Sequence, residues 1–192
     1  MNGESPIATL PAAGQRMTAD DYFQLPEGPP YSQLIDGELI MSPSVNFYHQ
    51  EIAIRLSFFM HGFLRKNRLG KMAVAPSDVK LDDDNVFQPD LYFIRNERLK
   101  ILNDHGPQEA PDLVVEIISP STRRYDLGHK KAICAKRGVV EYWAIFPKTK
   151  EVQVYLLQEN SAAPARILRG GDVLETSLLP GLAIALPEIF EE

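Results

Sequence analysis

Two acidic residues, Asp90 and Glu116, are the strongest candidates for chemistry in the sequence. Glu116 lies in the segment DLVVEIISP at 112–120, whose aliphatic and largely β-branched residues predict a strand buried on both faces of a sheet. A carboxylate in such a strand is energetically costly unless it is paired, protonated or bound to a metal ion. Because side chains alternate along a strand, one face carries Asp112, Val114, Glu116 and Ile118, and the other carries Leu113, Val115 and Ile117.

Asp90 follows Pro89 in a second apolar stretch, which we interpret as a strand from Val86 to Ile94. Proline cannot donate a hydrogen bond to a sheet, so this strand is expected at an edge or with a bulge at Pro89. Neighbouring strands lie about 4.8 Å apart, which lets the carboxylates of Asp90 and Glu116 approach one divalent cation. Mg²⁺ prefers one or two carboxylates, together with waters and substrate phosphate oxygens. Such an ion polarises a phosphodiester and lowers the pKa of the attacking water.

The segment from Ser121 to Arg137 concentrates positive charge. It has six basic residues and one acidic residue, Asp126, so it carries a net charge of +5 in a chain whose net charge is −6. A basic patch beside a buried carboxylate is typical of enzymes that act on phosphates. Two alternatives stay open: a solvated helix face in which Asp126 and Lys130 form a surface ion pair, and an ordinary salt bridge for Glu116. The basic residues are Arg123, Arg124, Lys130, Lys131, Lys136 and Arg137.

The composition is that of a soluble globular protein. Of 192 residues, 44% are hydrophobic and 24% are charged, and no apolar run reaches the length of a transmembrane helix. The N-terminus lacks the basic region of a signal peptide. Cys134 is the only cysteine, which excludes an intrachain disulfide and a cysteine-based zinc site. We therefore expect a cytoplasmic protein without a membrane segment, and the negative net charge argues against non-specific coating of nucleic acid.

The order of predicted elements indicates a mixed α/β fold. We expect residues 1–16 to form a flexible N-terminal tail and residues 17–192 to form a single domain. The elements, in chain order, are a short helix from Thr18 to Leu25, a hairpin from Tyr31 to Met41 with its turn at Asp36-Gly37, a helix from Ser44 to about Arg65, the strands already described, a helix from about Ser121 to Arg137 that Gly138 ends, and strands at 139–146 and 152–157.

Several short motifs resemble the Uma-type family, whose members are described as restriction endonucleases of the PD-(D/E)XK nuclease superfamily. The similar stretch runs from about Thr18 to Leu157, and the motifs are specific when they are taken together. They are Gln88-Pro89-Asp90, VEIISPST at 115–122, Asp126 with Lys130, GVVEYW at 138–143, Asp36-Gly37-Glu38, Ser42-Pro43 with His49, and Ser77-Asp78-Val79.

The resemblance implies a restriction-endonuclease-like core, in which a mixed central β-sheet is flanked by α-helices. It assigns Asp90 and Glu116 as ligands of Mg²⁺ (or Mn²⁺). The superfamily motif has its lysine two residues after the acidic residue, where this chain has Ile118. The resemblance then points to Lys130, on the following helix, as the catalytic lysine. Lys131 is rotated from it by about 100° on a helix, so we expect Lys131 to contact DNA instead.

Other residues take supporting roles in this interpretation. Glu38 would orient Lys130 or a metal-bound water, and Arg123 and Arg124 would contact phosphates, which positions a duplex without reading its sequence. The expected substrate is DNA, and a homodimer is a further expectation. The residues expected to contact the metal ligands, without binding the metal themselves, are Asp78, His49 and Asp126.

The sequence thus favours a Mg²⁺-dependent endonuclease that hydrolyses phosphodiester bonds in DNA. The alternative is a catalytically inactive nucleic-acid or protein-interaction module with the same fold. Ile118 and the overall acidity favour this module, whereas the combination of Asp90, Glu116 and Lys130 favours the enzyme. A metal-dependent hydrolase of small phosphoesters is a third hypothesis, and activity on plasmid DNA compared with an aryl phosphodiester would distinguish it.

Overall fold

The computed structural model describes residues 16–26, 28–42 and 44–191. The predicted tail lies outside the described residues except for Arg16, which donates a hydrogen bond to the carbonyl of Asp36 at 2.6 Å. The helices are α1 (Ala19–Tyr22), α2 (Phe47–Asn67), α3 (Arg123–Tyr125), α4 (Lys131–Arg137) and α5 (Leu186–Phe190), together with a 3-10 helix at Asn96–Ile101 and a π-helical turn at Asp126–Lys130. The strands are β1 (Ser32–Ile35), β2 (Glu38–Met41), β3 (Gly70–Val74), β4 (Val79–Asp82), β5 (Asn85–Phe87), β6 (Leu91–Arg95), β7 (Leu102–Asn103), β8 (Gly106–Pro107), β9 (Leu113–Ile117), β10 (Glu141–Phe146), β11 (Glu151–Leu156), β12 (Arg166–Arg169), β13 (Val173–Glu175) and β14 (Ala183–Ala185).

The centre of the fold is a six-stranded mixed sheet with the strand order β12-β11-β10-β9-β6-β3. Strand β9 runs parallel to β10 and antiparallel to β6. A four-stranded antiparallel sheet has the order β2-β1-β5-β4, and the pairs β7–β8 and β13–β14 form two small hairpins. The predicted fold class, a mixed central sheet flanked by helices, is confirmed.

Strand β9 is buried on both faces, as the sequence predicts. Its residues Leu113, Val115 and Ile117 pack into a hydrophobic cluster that includes α2 and α5. On the opposite face, Val114 and the following Ile118 pack into a second cluster with α4, β4 and β5. The predicted alternation is therefore confirmed, and it directs Glu116 toward the second cluster.

Helix α2 covers the first face of the six-stranded sheet with one apolar stripe. Asn46 caps the helix by accepting a hydrogen bond from the backbone N–H of His49 at 2.9 Å, so the helix begins at Phe47 and not at Ser44. Neither α2 nor any other helix in the described ranges combines the length and the apolar character needed to cross a bilayer. The buried apolar residues of the stripe are Ile52, Leu56, Met60 and Leu64.

The predicted β1–β2 hairpin is confirmed together with its turn. Asp36 and Gly37 have φ angles of 47° and 77°, which are the left-handed conformations that a two-residue hairpin turn requires. The backbone N–H of Met17 donates to the carbonyl of Gly37 at 2.8 Å. The turn therefore also anchors the chain that leads into α1.

The predicted strand from Val86 to Ile94 is wrong, because the structure has two strands there in two different sheets. Strand β5 belongs to the four-stranded sheet, and β6 belongs to the six-stranded sheet. Pro89 lies in the connection between them. No sheet hydrogen bond is needed at this position, so the proline, which has no N–H, is tolerated there. Asp90 consequently lies where the chain passes from one sheet to the other.

The predicted helix to about Arg137 is confirmed over residues 123–137, but it is not α-helical throughout, because a π-helical turn at Asp126–Lys130 lies between α3 and α4. A π-helical turn holds more residues than an α-helical turn, so it changes the direction of the side chains that it carries. Gly138 ends α4 as predicted, with a left-handed φ of 95°.

Asp112, which precedes β9, is a fully buried carboxylate that depends on two arginines. It accepts hydrogen bonds from the backbone N–H and the Nε of Arg95 at 2.9 and 2.8 Å, and Arg98 Nη1 lies 3.3 Å away.

We predict that Arg95→Ala combined with Arg98→Ala lowers the free energy of unfolding by about 3 kcal/mol, because a buried charge loses its compensation. Chemical denaturation measures this change. Arg124→Ala, at an exposed arginine, is the control, and an equal loss in both proteins would contradict the prediction.

Candidate active site

Asp90, the residue before β6, lies beside Glu116 of β9. The register of β6 and β9 pairs Leu91 with Val115, and its continuation by one residue sets Asp90 opposite Glu116. Side chains of directly opposed residues have Cβ atoms about 5 Å apart. Asp90 Oδ2 also accepts a hydrogen bond from the backbone N–H of Ile117 at 2.7 Å, which fixes the Asp90 carboxylate against β9.

The side chain of Lys130 completes the cluster. Its Nζ lies 2.6 Å from Oε1 of Glu116, and the lysine side chain is only 2% exposed. The ammonium group also lies 5.6 Å from the centroid of the Phe87 ring. Lys130 is thus a buried cation whose ion-pair partner is the central carboxylate of β9.

The π-helical turn delivers two charged residues to this cluster. Asp126 and Lys130, its first and last residues, are both buried, with exposed fractions of 5% and 2%. The alternative in which they form a surface ion pair is therefore wrong. The hydroxyl of Tyr142 donates to the backbone carbonyl of Asp126 at 2.9 Å, so a buried residue of β10 holds the turn in place. Single π-helical turns within α-helices are frequently found at functional sites.

His49 contacts Asp90 from the opposite side. It lies in the first turn of α2, is buried, and has its Nε2 atom 3.3 Å from Asp90 Oδ2. Within the described part of the chain, its Nδ1 atom has no hydrogen-bond partner. Oδ2 of Asp90 is therefore held between the imidazole of His49 and the backbone of β9.

The electrostatics of the cluster follow from three carboxylates that share one buried lysine. Burial raises the pKa of Glu116 well above its ordinary value; Lys130 opposes this rise, and the charges of Asp90 and Asp126 add to it. Burial likewise raises the pKa of Asp126. Burial lowers the pKa of Lys130, but Glu116 and Asp126 outweigh it, and the pKa ends above its ordinary value. The cluster therefore favours an added positive charge, whether a proton or a cation.

The donor atoms of this cluster fit a magnesium ion. In the ranges that the structure describes, Oδ1 of Asp90 and Oε2 of Glu116 accept no hydrogen bond, so one oxygen of each carboxylate is available to a cation. The same ranges hold no group of three or more His, Cys, Asp or Glu side chains arranged around an ion. Two protein carboxylates, with water and phosphate oxygens as the other ligands, are a usual set for Mg²⁺.

Four other predicted site residues lie outside this cluster. Glu38 is exposed at the start of β2, and in the described part of the chain no hydrogen bond or ion pair joins it to Lys130. Asp78 lies in a separate cleft, where Tyr22 and Gln88 contact it. The last two, which follow β9 on α3 and are exposed, are Arg123 and Arg124.

The basic segment exposes less positive charge than the sequence suggests. Lys130 and Lys131 are buried, and Arg137 pairs with Asp82 at 2.5 Å. Lys131 Nζ lies 3.7 Å from the centroid of the Tyr155 ring, and burial lowers the pKa of this lysine. The expectation that Lys131 contacts DNA is wrong, because its side chain is enclosed against β11.

One contact near the cluster has no signal in the sequence. His129 Nε2 lies 2.6 Å from Oδ2 of Asp36, and both residues are exposed. The contact joins the π-helical turn to the β1–β2 hairpin. No local pattern relates these two positions, because they approach each other only when the four-stranded sheet packs beside the helix.

The sequence from residue 19 to residue 187 matches the model of the family described as "Uma2: Putative restriction endonuclease". The chain belongs to the Uma2 family. The resemblance inferred from the motifs is therefore confirmed, and the match includes Asp90, Glu116 and Lys130.

The Uma2 chain also shares its fold with a solved structure from Anabaena variabilis, described as a putative nuclease belonging to DUF820. The two structures superpose with a TM-score of 0.76 at 22% sequence identity, over 91% of this chain and 97% of that chain. At this identity the likeness shows the fold. No curated protein sequence matches the chain.

The raised pKa of Glu116 predicts a pH dependence of stability in metal-free protein. The folded protein holds the proton of such a carboxyl more tightly than the unfolded chain does. Protonation therefore stabilises the fold fully at a pH below the pKa of the unfolded chain, and this stabilisation is lost as the pH rises through the pKa of the folded protein. We predict that wild type loses stability relative to Glu116→Gln as the pH rises above the ordinary pKa of a glutamate carboxyl, by roughly 1.4 kcal/mol for each unit of pKa difference. Urea denaturation at several pH values measures this loss. Glu159→Gln, at an exposed site, should show no such trend, and a pH-independent difference for Glu116→Gln would contradict the prediction.

Proposed function

We propose that this Uma2 chain is a Mg²⁺-dependent (or Mn²⁺-dependent) endonuclease that hydrolyses phosphodiester bonds in DNA. The observation that carries the proposal is the juxtaposition of Asp90, at the start of β6, with Glu116 on the paired strand β9, with Lys130 Nζ 2.6 Å from Glu116. Membership of the family described as "Putative restriction endonuclease" supports the same reaction class.

Asp90 and Glu116 would hold the metal ion through the two oxygens that accept no hydrogen bond in the described ranges. When bound, the ion supplies Lewis acidity that polarises the phosphodiester and favours ionisation of the attacking water. The contacts of Asp90 Oδ2 with Ile117 N–H and with His49 fix the orientation of that carboxylate. This fixed orientation matters because a carboxylate that already points toward the metal position does not have to rearrange during the reaction.

Lys130 acts as a fixed positive charge in this proposal. Glu116 and Asp126 keep its pKa above the ordinary value, so its ammonium group stays protonated at neutral pH and does not serve as a base. A protonated lysine in a buried site stabilises negative charge on the phosphate more strongly than a solvated one, and it orients water by hydrogen bonding. Its burial explains why a single lysine is sufficient for this role.

DNA would approach over the helical segment that follows β9. Arg123 and Arg124 are exposed at the start of this segment, where they can contact phosphates beside the carboxylates. The guanidinium of Arg123 lies 5.3 Å from the centroid of the Phe146 ring, which restrains its position. Glu38 is assigned no role in this proposal because it makes no contact with Lys130 in the described ranges. A homodimer stays a prediction.

A second candidate function is a catalytically inactive binding module. The close ion pair of Lys130 and Glu116 favours it, because the lysine already compensates the carboxylate that would otherwise bind the metal. In that case neither Asp90 nor Glu116 takes up an ion, and the cluster serves stability alone. Metal binding therefore separates the two candidates.

We predict that Mg²⁺ or Mn²⁺ raises the melting temperature of wild-type protein. An ion present at 100 times its Kd adds about 2.7 kcal/mol to the free energy of unfolding. Thermal melting with and without millimolar metal measures the shift. Asp90→Asn should abolish the shift, whereas Asp84→Asn, at an exposed turn, should retain it. Equal shifts in wild type and Asp90→Asn would show that the ion binds elsewhere.

We predict that Lys130→Met abolishes metal-dependent cleavage of plasmid DNA while the fold and the metal-induced melting shift remain. Methionine fills most of the volume of the buried lysine without its charge, which protects the core from a cavity. The matched control is Lys136→Met, an exposed lysine of α4, which should cleave like wild type. Cleavage by Lys130→Met at the wild-type rate would refute the assigned role of this lysine.

A further inference from the structure

A polar cleft of about 420 Å³ lies close to the candidate active site and has no role in the reaction proposed above. Asp78 and Gln88 line it, and Gln88 is two residues before Asp90, which keeps the Cα atoms of Gln88 and Asp90 within about 7.6 Å. The backbone N–H of Ala75 donates to the carbonyl of Asp90 at 3.0 Å, so the chain that enters the cleft also touches the site.

We propose that this cleft binds one nucleobase of the substrate strand beside the cleaved phosphodiester, and that it prefers a base with an exocyclic amino group. The inference rests on the proposed nuclease function and adds a base-recognition site to it. Its basis is the donor and acceptor inventory of the cleft, its aromatic rim, and its distance from Asp90.

Asp78 brings into the cleft a carboxylate whose acceptor capacity its neighbours satisfy only in part. Asp78 Oδ1 lies 2.9 Å from the hydroxyl of Tyr22 and 2.8 Å from Nε2 of Gln88. The same hydroxyl lies 2.8 Å from the carbonyl of Ser32, so its one proton is shared between two acceptors. In the described part of the chain, Oδ2 of Asp78 accepts no hydrogen bond. A ligand that donates N–H groups would satisfy the remaining acceptor capacity.

The partial burial of Asp78 increases the benefit of such a ligand. Burial raises the pKa of this carboxyl, which means that its charged form lacks sufficient compensation. The exocyclic amino groups of cytosine and adenine can donate hydrogen bonds to a carboxylate, whereas thymine has a carbonyl oxygen at the corresponding position. The one ring donor of thymine, N3–H, lies between two carbonyl oxygens, which a carboxylate repels. Asp78 therefore distinguishes amino-bearing bases from thymine.

Aromatic side chains at the rim offer surfaces on which a base can stack. The rings of Phe23 and His105 have centroids 5.0 Å apart and are tilted by 32°, and Tyr31 is 41% exposed. Gly106 keeps His105 close to Asp78, because a Cβ atom at Gly106 would lie 2.3 Å from the carbonyl oxygen of Asp78. Any base can stack on an aromatic ring, so the preference for bases with an amino group must come from the carboxylate of Asp78.

The test is the binding of fluorescein-labelled ten-nucleotide strands of dC, dA or dT, measured by fluorescence anisotropy in EDTA so that no cleavage occurs. We expect wild type to bind the dC and dA strands at least about fivefold more tightly than the dT strand, which is the lower end of discrimination by one base contact. Asp78→Asn should bind all three strands with equal affinity, while its affinity for dT stays at the wild-type value. Asp84→Asn makes the same charge change at an exposed turn and should keep the preference.

The outcomes separate this inference from the nuclease proposal. Equal affinities of wild type for the three strands would overturn the base site and leave the nuclease proposal standing. Absence of binding to every strand would also overturn the base site, and metal-dependent cleavage of plasmid DNA then tests the nuclease proposal by itself. If Asp78 has only a structural role, Asp78→Asn lowers all three affinities together and the ratio persists, which overturns the assignment. Thermal melting of each variant shows whether the fold is retained.

Discussion

The ion pair between Glu116 and Lys130 is the interaction on which the rest of the site depends. Glu116 lies in the middle of a strand that is buried on both faces, and a carboxylate there needs a compensating charge. Lys130 supplies one charge at 2.6 Å, but Asp90 and Asp126 lie in the same environment. One lysine does not neutralise three carboxylates, which is why we propose that the cluster takes up a cation.

The fold supplies this arrangement through three structural features. Antiparallel pairing of β6 with β9 brings Asp90 opposite Glu116. The π-helical turn directs Lys130 inward, where an uninterrupted α-helix would give the segment a different rotation. Tyr142, on the neighbouring strand β10, holds the backbone of that turn. The strand pairing and the Tyr142 contact join elements that are distant in the sequence, whereas the π-helical turn is a local backbone conformation.

Local sequence patterns predicted the parts of the fold that local forces determine. The β-branched residues around Glu116 predicted a two-faced strand, and Asp36-Gly37 predicted a hairpin turn, because both depend on near neighbours. The passage between two sheets at Pro89 was missed, since sheet membership depends on distant partners. The inward direction of Lys131 was missed for the same reason, because the ring of Tyr155 approaches it from another strand. The strand patterns and the motifs singled out Asp90 and Glu116 as candidates, and the pairing of β6 with β9 is the long-range feature that brings them together.

The most direct test of this account is the location of Mn²⁺ by anomalous scattering in crystals grown with the ion. We expect one ion per chain, bound by the carboxylates of Asp90 and Glu116. We also expect that Lys130 remains beside the cluster. Crystals with no anomalous peak at these two carboxylates, and with Glu116 and Lys130 still in direct contact, would contradict the proposed metal site.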